Sequence, residues 1–403
     1  MQDHSLITTL VAATVLAFLL GFLAQRLRLP PIVGYMLAGV VAGPHTPGYV
    51  GDIALAQQLA EIGVVLLMFG VGLKISVKDL WETRRVALPG AVVQMATATL
   101  LGFAAARLIG FGLRESLIIG VSLSVASTVV LLRALEGRGM VDSSAGRLVV
   151  GWLVVEDIAI VLAIVALPAL AATVSVSEAG AALEEPIGVT LTVTFVKIAA
   201  FIGLMTLIGG RVFPWFIVRV AHLRSRELLS LGTLALALGV AYTAYAVFDA
   251  SFALGAFLAG VALNGTRLSA NVAENSLPLR DTFAVLFFVA VGMLFDWHIL
   301  LTNPGGVLLL VAIVVLGKGF AAWGIARLLG TNRTDSLYAA AALAQIGEFS
   351  FVLAGLGLAL GVLSRPGHDL VLAAALISIL LNPLLFHLTS RAAVRQAKEA
   401  RLA

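Results

Sequence analysis

The chain has 403 residues, of which 60% are hydrophobic and only 12% charged, and its mean hydropathy is +1.06. A water-soluble fold of this size cannot bury so much apolar side chain, so the chain reads as an all-α polytopic membrane protein. The absence of cysteine excludes disulfides and thiolate metal sites, and the net charge of +4 is explained by where the basic residues fall, without nucleic acid.

A crossing helix needs about 20 apolar residues. Thirteen candidate runs follow in chain order, at about 6–24, 31–49, 55–73, 87–110, 115–136, 148–173, 189–210, 228–246, 250–266, 282–300, 306–329, 336–361 and 370–390. The second and ninth are short and glycine-rich. The connections that this count puts on one side carry Arg26 and Arg28, then Lys74, Lys78, Arg84 and Arg85, then Arg133, Arg138 and Arg147. The same side holds Arg211, Arg219, Arg224 and Arg226, then Arg267 and Arg280, Arg327 and Arg333, and the tail Arg391, Arg395, Lys398 and Arg401. The opposite side has only Arg107, Arg114 and Arg365. Basic loops stay cytoplasmic, so the N-terminus is expected outside and the C-terminus inside a cell inner membrane. The first run is not a cleaved signal peptide, because its positive charge follows the apolar stretch. The acidic stretch SVSEAGAALEEPIG, 175–188, falls outside. Lys197 and Lys318 are left within spans; Lys197 could snorkel to an end, whereas Lys318 is near the middle of its run.

A shift of about 220 residues lays the chain on itself. GYMLAGV (34–40) meets GAFLAGV (255–261), VGL (71–73) meets VGM (291–293), and AARLIG (105–110) meets IARLLG (325–330). The shift carries span two onto span nine, a step of seven helices, so the halves are expected to face opposite ways. Repeat one would cover about 6–173, a linking helix 189–210, and repeat two 228–390, with a basic cytoplasmic tail at 391–403. Inverted repeats mark secondary transporters. A duplication without functional consequence would leave the same pattern.

Ionisable groups inside a membrane cost about 2.5–3.5 kcal/mol each on insertion scales and are functional by default. The deepest here are Glu156 and Asp157, side by side in GWLVVEDIAIVLAIVALPAL (151–170), with Lys318 and Glu348. Neighbours on a helix point about 100° apart, so the two carboxylates cannot share one contact. Glu61 and Asp281 are expected to open their helices as caps or loop anchors. Two segments related by the shift are unusually polar. SLSVASTVVLLRAL (122–135) offers Ser122, Ser124, Ser127 and Thr128, and AALAQIGEFSFVLAGLG (341–357) offers Gln345, Glu348 and Ser350. Broken helices in corresponding places point to a transport site, although small-residue packing between helices enriches the same residues.

VGWLVVEDIAIVLAIV, GVVLLMFGVGLKIS, FALGAFLAGVALNGT, AVLFFVAVGMLFDWHIL and AQIGEFSFVLAGLG together resemble the monovalent cation:proton antiporter-2 family, particularly its Kef-type potassium/proton members. The resemblance implies a thirteen-helix sodium/proton-antiporter-like fold with a dimerisation region, a mobile core and crossed discontinuous helices at 115–136 and 336–361. It makes Asp157, the second acid of the pair, the essential group where cation and proton compete. The preceding residue is Asn or Asp in many sodium exchangers and Gln in Kef exchangers; here it is Glu156, which leaves ion choice and stoichiometry open. Lys318 falls where electrogenic relatives carry a lysine that pairs with the acid. Kef members usually continue into a soluble nucleotide-binding regulatory domain, whereas this sequence stops at RAAVRQAKEARLA.

The expected activity is exchange of a monovalent cation, K+ favoured and Na+ the alternative, for protons. Asp157 would bind the cation with Glu156, Ser127 and Thr128, Lys318 would serve as charge partner, and Ser124, Gln345 and Glu348 would support the discontinuous helices. A gated cation channel with the acids as a selectivity ring is the reading from another class. Membrane lipid and a second copy of the chain are the expected partners. No cofactor beyond the transported ions is expected, and no nucleophile–His–acid arrangement or phosphate loop points to an enzyme.

Overall fold

The computed structural model describes residues 5–27, 29–48, 50–74, 77–136, 139–140, 143–178, 196–197, 199–248, 250, 252–264 and 269–402. Among them there is no strand. Among the described residues nine helices are long and apolar enough to cross a membrane, and two shorter apolar helices, Pro31–Ala42 and Phe252–Leu263, fall on the short second and ninth runs. Leu100, Leu308, Leu316 and Phe320 are all exposed, a state that suits lipid and not water. Most of the acidic stretch 175–188, the start of the linking run at 189–195, and Arg28, Arg138 and Arg267 lie outside the described residues.

In chain order the helices are α1 (Ser5–Arg26), α2 (Pro31–Ala42), α3 (Ile53–Lys74), α4 (Val77–Ile109), α5 (Leu113–Ser124), α6 (Thr128–Glu136) and α7 (Ser144–Glu178). A π-helical turn, Met205–Gly209, leads into α8 (Gly210–His222). Then come α9 (Arg226–Phe248), α10 (Phe252–Leu263), α11 (Ser269–Leu294) and α12 (Pro304–Ala312). A second π turn, Ile313–Lys318, joins α12 to α13 (Gly319–Leu328), and α14 (Arg333–Leu343), α15 (Glu348–Ala359) and α16 (Arg365–Leu402) complete the chain.

Several helices outrun their apolar stretches, because hydropathy marks the hydrocarbon layer and not the end of the backbone ladder. α4 starts at Val77 where the apolar run starts at 87, so Lys78, Arg84 and Arg85 ride on a helix and not in a loop. In the linking segment the described apolar helix runs on to His222, past the end of the run at 189–210, because VFPWFIVRVA continues the apolar face beyond Arg211. Glu61 lies well inside α3 and Asp281 well inside α11, so neither opens its helix. Asp281 instead pairs with Arg280 at 2.7 Å.

Contacts divide the chain into two compact units. The first comprises Met1–Leu19, Tyr35–Ser76 and Val161–Leu294. It is held by close backbone crossings at glycines. A Cβ on Gly39 would lie 1.9 Å from Val289 O and one on Gly292 2.1 Å from Met36 O, so α2 and α11 touch backbone to backbone. A Cβ on Gly72 would lie 2.2 Å from Phe257 O and one on Gly260 2.2 Å from Phe69 O, which joins α3 to α10 in the same manner. Small residues let helices approach closely where lipid removes the hydrophobic drive to associate. The crossing glycines belong to GYMLAGV and VGM in one case, GAFLAGV and VGL in the other.

The second unit comprises Leu20–Gly34, Val77–Ile160 and Phe295–Ala403. Its hydrogen bonds recur at the same shift. Arg107 Nη1 donates to Phe111 O at 2.6 Å, and Arg327 Nη1 to Thr331 O at 2.6 Å. Glu115, in the first turn of α5, accepts from Ser364 N at 2.7 Å, and Asp335, in the first turn of α14, accepts from Ser144 Oγ.

Candidate ion-binding site

The second unit contains two helices that stop and restart in mid-span. After Ser124 the backbone turns extended, with Val125 at φ −99° and ψ 137°, and helix resumes at Thr128. After Leu343 the chain leaves helix and resumes at Glu348, with Gly347 extended at φ −90° and ψ 167°. The interruptions touch each other. Gly347 N donates to Val125 O at 3.0 Å, and Gln345 Nε2 donates to Ser127 O at 3.1 Å. A Cβ at position 347 would sit 2.7 Å from Ala126 O, so only glycine allows this approach.

Interrupting a helix in lipid frees backbone groups that must be satisfied internally. α7 supplies one answer. Glu156 Oε2 accepts from Ala126 N at 2.8 Å, and Asp157 Oδ2 accepts from Thr128 Oγ1 at 3.0 Å. Ser127 Oγ caps α6 by accepting from Val130 N at 3.1 Å, and Ser124 Oγ donates to Val121 O at 2.8 Å at the end of α5. α16 supplies the other answer, since Ser378 Oγ accepts from Ile346 N at 3.3 Å and Asn382 Nδ2 donates to Ala341 O at 2.8 Å.

The charges complement the helix ends. Lys318, fully buried at the end of the second π turn, donates from Nζ to Gln345 O at 3.2 Å, just past the C-terminal, negative end of α14. Its ammonium also acts electrostatically on Glu156. Glu348 occupies the first turn of α15, the positive end, and is buried. The neighbouring acids differ: Glu156 is wholly enclosed, whereas Asp157 keeps 8% of its surface exposed beside half-buried Thr128. By donating its proton to Asp157, the Thr128 hydroxyl leaves its own lone pairs available to a cation. An anionic oxygen, a hydroxyl oxygen and a helix start that favours negative charge form a place where an alkali cation or a proton can neutralise a carboxylate.

Every sequence-predicted site residue therefore falls around the two interruptions, with Asp157 directed at the first of them. Sequence reading missed Ser378 and Asn382, although polar residues four apart in the run 370–390 share one helix face and were visible as a pair. It also missed the π turn that ends at Lys318; such turns often accompany functional sites and have no plain sequence signature.

The sodium/hydrogen exchanger transmembrane family matches residues 13–390. YbaL of Escherichia coli, designated a cation/proton antiporter, is 53% identical over 386 residues, which cover 96% of this chain and 69% of YbaL. K(+) efflux antiporter 4 of Arabidopsis thaliana is 31% identical over 388 residues, which cover 96% of this chain and 64% of that relative. The solved structure of the sodium proton antiporter MjNhaP1 from Methanocaldococcus jannaschii shares the fold, with a TM-score of 0.74 at 15% identity over 96% of this chain and 99% of that one. The chain is a member of the sodium/hydrogen exchanger family, with relatives of the Kef type.

Proposed function

We propose that the chain exchanges a monovalent cation for protons at Asp157 by alternating access. The observation that carries this reading is the contact of the α7 carboxylates with the interrupted backbone, Thr128 Oγ1 to Asp157 Oδ2 at 3.0 Å and Ala126 N to Glu156 Oε2 at 2.8 Å. A carboxylate held from water is costly as a bare anion, and either a proton or a dehydrated cation relieves that cost, but not both together. If the site changes sides only when loaded, coupled exchange follows. Thr128 and loosened backbone at 125–127 complete the cation's shell, Glu156 and Gln345 hold the crossing in shape, and Lys318 stabilises the unloaded state through Glu156.

K+ is the favoured cargo, supported by the Kef-type motifs and by the K(+) efflux antiporter among the relatives. Na+ is the second reading, favoured by Glu156 and Lys318. The recurrence of contacts at a shift of 220 residues supports an inverted repeat of six and six helices about a linking helix, thirteen in all. The basic-residue distribution supports an inner-membrane protein with its N-terminus outside and its C-terminus in the cytoplasm. A homodimer, and a nucleotide-binding regulatory domain in a longer chain, follow from the family resemblance alone.

The test is proton efflux from proteoliposomes challenged with K+, Na+ and Li+, with and without a clamped membrane potential. Cation-dependent proton movement strongest with K+ is the expected result. Flux without proton coupling, at rates beyond a carrier's turnover, would select a channel instead.

A further inference from the structure

Gln94 has no part in the exchange site as described, yet it is fully buried in α4, and neither its Oε1 nor its Nε2 has a hydrogen-bond partner among the described residues. Interiors seldom leave an amide so, and each such case calls for a partner of protein or water. Its surroundings supply candidates. Gly90 lies one turn earlier on the same face of α4, and a Cβ built there would stand 2.5 Å from Trp152 Nε1. That indole N–H likewise lacks a partner among the described residues. Glu156 lies one turn beyond Trp152 on the same face of α7, and its second oxygen, Oε1, is a further unmatched buried atom. α4 and α7 flank the broken α5–α6 helix in the chain and join it through short connections, so they run in the same direction. The step from Gly90 to Gln94 and the step from Trp152 to Glu156 therefore lead the same way. Ala91 and Ala126, packed in one cluster with Trp152, bring only methyl groups.

We propose that Gln94, Trp152 and Glu156 enclose a buried water site, and that Gln94 is a positioning residue which, through this water, fixes the oxygen of Glu156 turned away from Ala126. The set contains an N–H donor, an amide that both donates and accepts, and a carboxylate acceptor, which matches the two to four partners of an ordered internal water. Glu156 thus spans two tasks: Oε2 holds the interrupted backbone and Oε1 faces the water. The other charged groups of the site are Asp157 on the same helix, Lys318 acting on Glu156 from the π turn, and Glu348 at the start of α15, next to the Gly347 that approaches Ala126. The kinetic consequence rests on the exchange reading above; the water site does not.

The test uses the full chain and two substitutions, Gln94→Leu and Trp152→Phe, singly and together. X-ray radiolytic labelling modifies buried side chains that touch bound water. Wild-type Trp152 should be labelled, and Gln94→Leu should remove most of that labelling, because the amide supplies part of the water's hydrogen bonds. In vesicles each single variant should slow exchange and move its pH profile, and the double variant should add nothing, because one water serves both side chains. Gln94→Met, closer in shape, takes the place of Gln94→Leu if that variant does not fold. Unlabelled wild-type Trp152, an unmoved pH profile in the Gln94 variant, or additive effects in the double variant would each overturn the proposal. Wild-type vesicles that show no cation-coupled proton movement would remove the exchange reading, while the labelling would still decide the water site.

Discussion

At the first interruption the loose N–H of Ala126 is held by a carboxylate of α7, Glu156, at 2.8 Å; at the second, 220 residues on, that of Ile346 is held by a hydroxyl of α16, Ser378, at 3.3 Å. The two breaks pose one structural problem, a backbone donor stranded in a membrane interior. On the bracing helix the second is met by neutral side chains, Ser378 and Asn382, with Lys318 of the π turn donating to Gln345 O. A neutral hydroxyl can therefore do for a stranded N–H at one break what a carboxylate does at the other. Each acid of the α7 pair adds about 2.5–3.5 kcal/mol to the cost of insertion, and Asp157 accepts from the Thr128 hydroxyl, a side-chain donor, at 3.0 Å. The difference between the breaks agrees with the proposed role of the α7 acids in exchange, with bracing left to neutral groups at the second break.

The sharpest way to break this contrast is Asp157→Asn. An amide of nearly the same shape cannot take up a proton or neutralise a cation, so cation-dependent proton movement in vesicles should fall below detection while the melting temperature in detergent is kept or raised. Exchange at wild-type rates would return Asp157 to a bracing role. Next in size is Gly347→Ala, which places a methyl 2.7 Å from Ala126 O and must push the two interruptions apart. Overpacking of this kind costs about 1–3 kcal/mol, and both thermal stability and exchange should fall together. Lys318→Ala should act on the first break through the second: it removes the cation that influences Glu156 and the donor to Gln345 O. The pH profile of exchange or its response to a clamped potential should change, and an identical response at every pH would assign Lys318 to structure alone. The smallest effect is expected from Ser378→Ala, which strands Ile346 N at a cost of about 1 kcal/mol. A modest drop in melting temperature with ion selectivity unchanged would fit; a change of selectivity would mean that the second break also touches the ion.

What was legible in the sequence shares one feature: it depends on local periodicity or on the cost of charge in lipid. The membrane class, the helical runs, the polar interruptions at 122–135 and 341–357, and the buried acids that meet the first of them follow from the rule that hydrocarbon tolerates neither bare backbone nor charge without a reason. The helix limits of α4, α8 and α11 were not legible, because a helix continues past the apolar stretch wherever its backbone ladder can. Nor were the division of labour between Glu156 and Asp157, the brace from Ser378 and Asn382, the π turn under Lys318, or the enclosure of Gln94. Those depend on which faces of distant helices meet. Composition fixes that a buried polar group must find a partner, and only the packing of α4, α7 and α16 against the two interruptions decides which partner it finds.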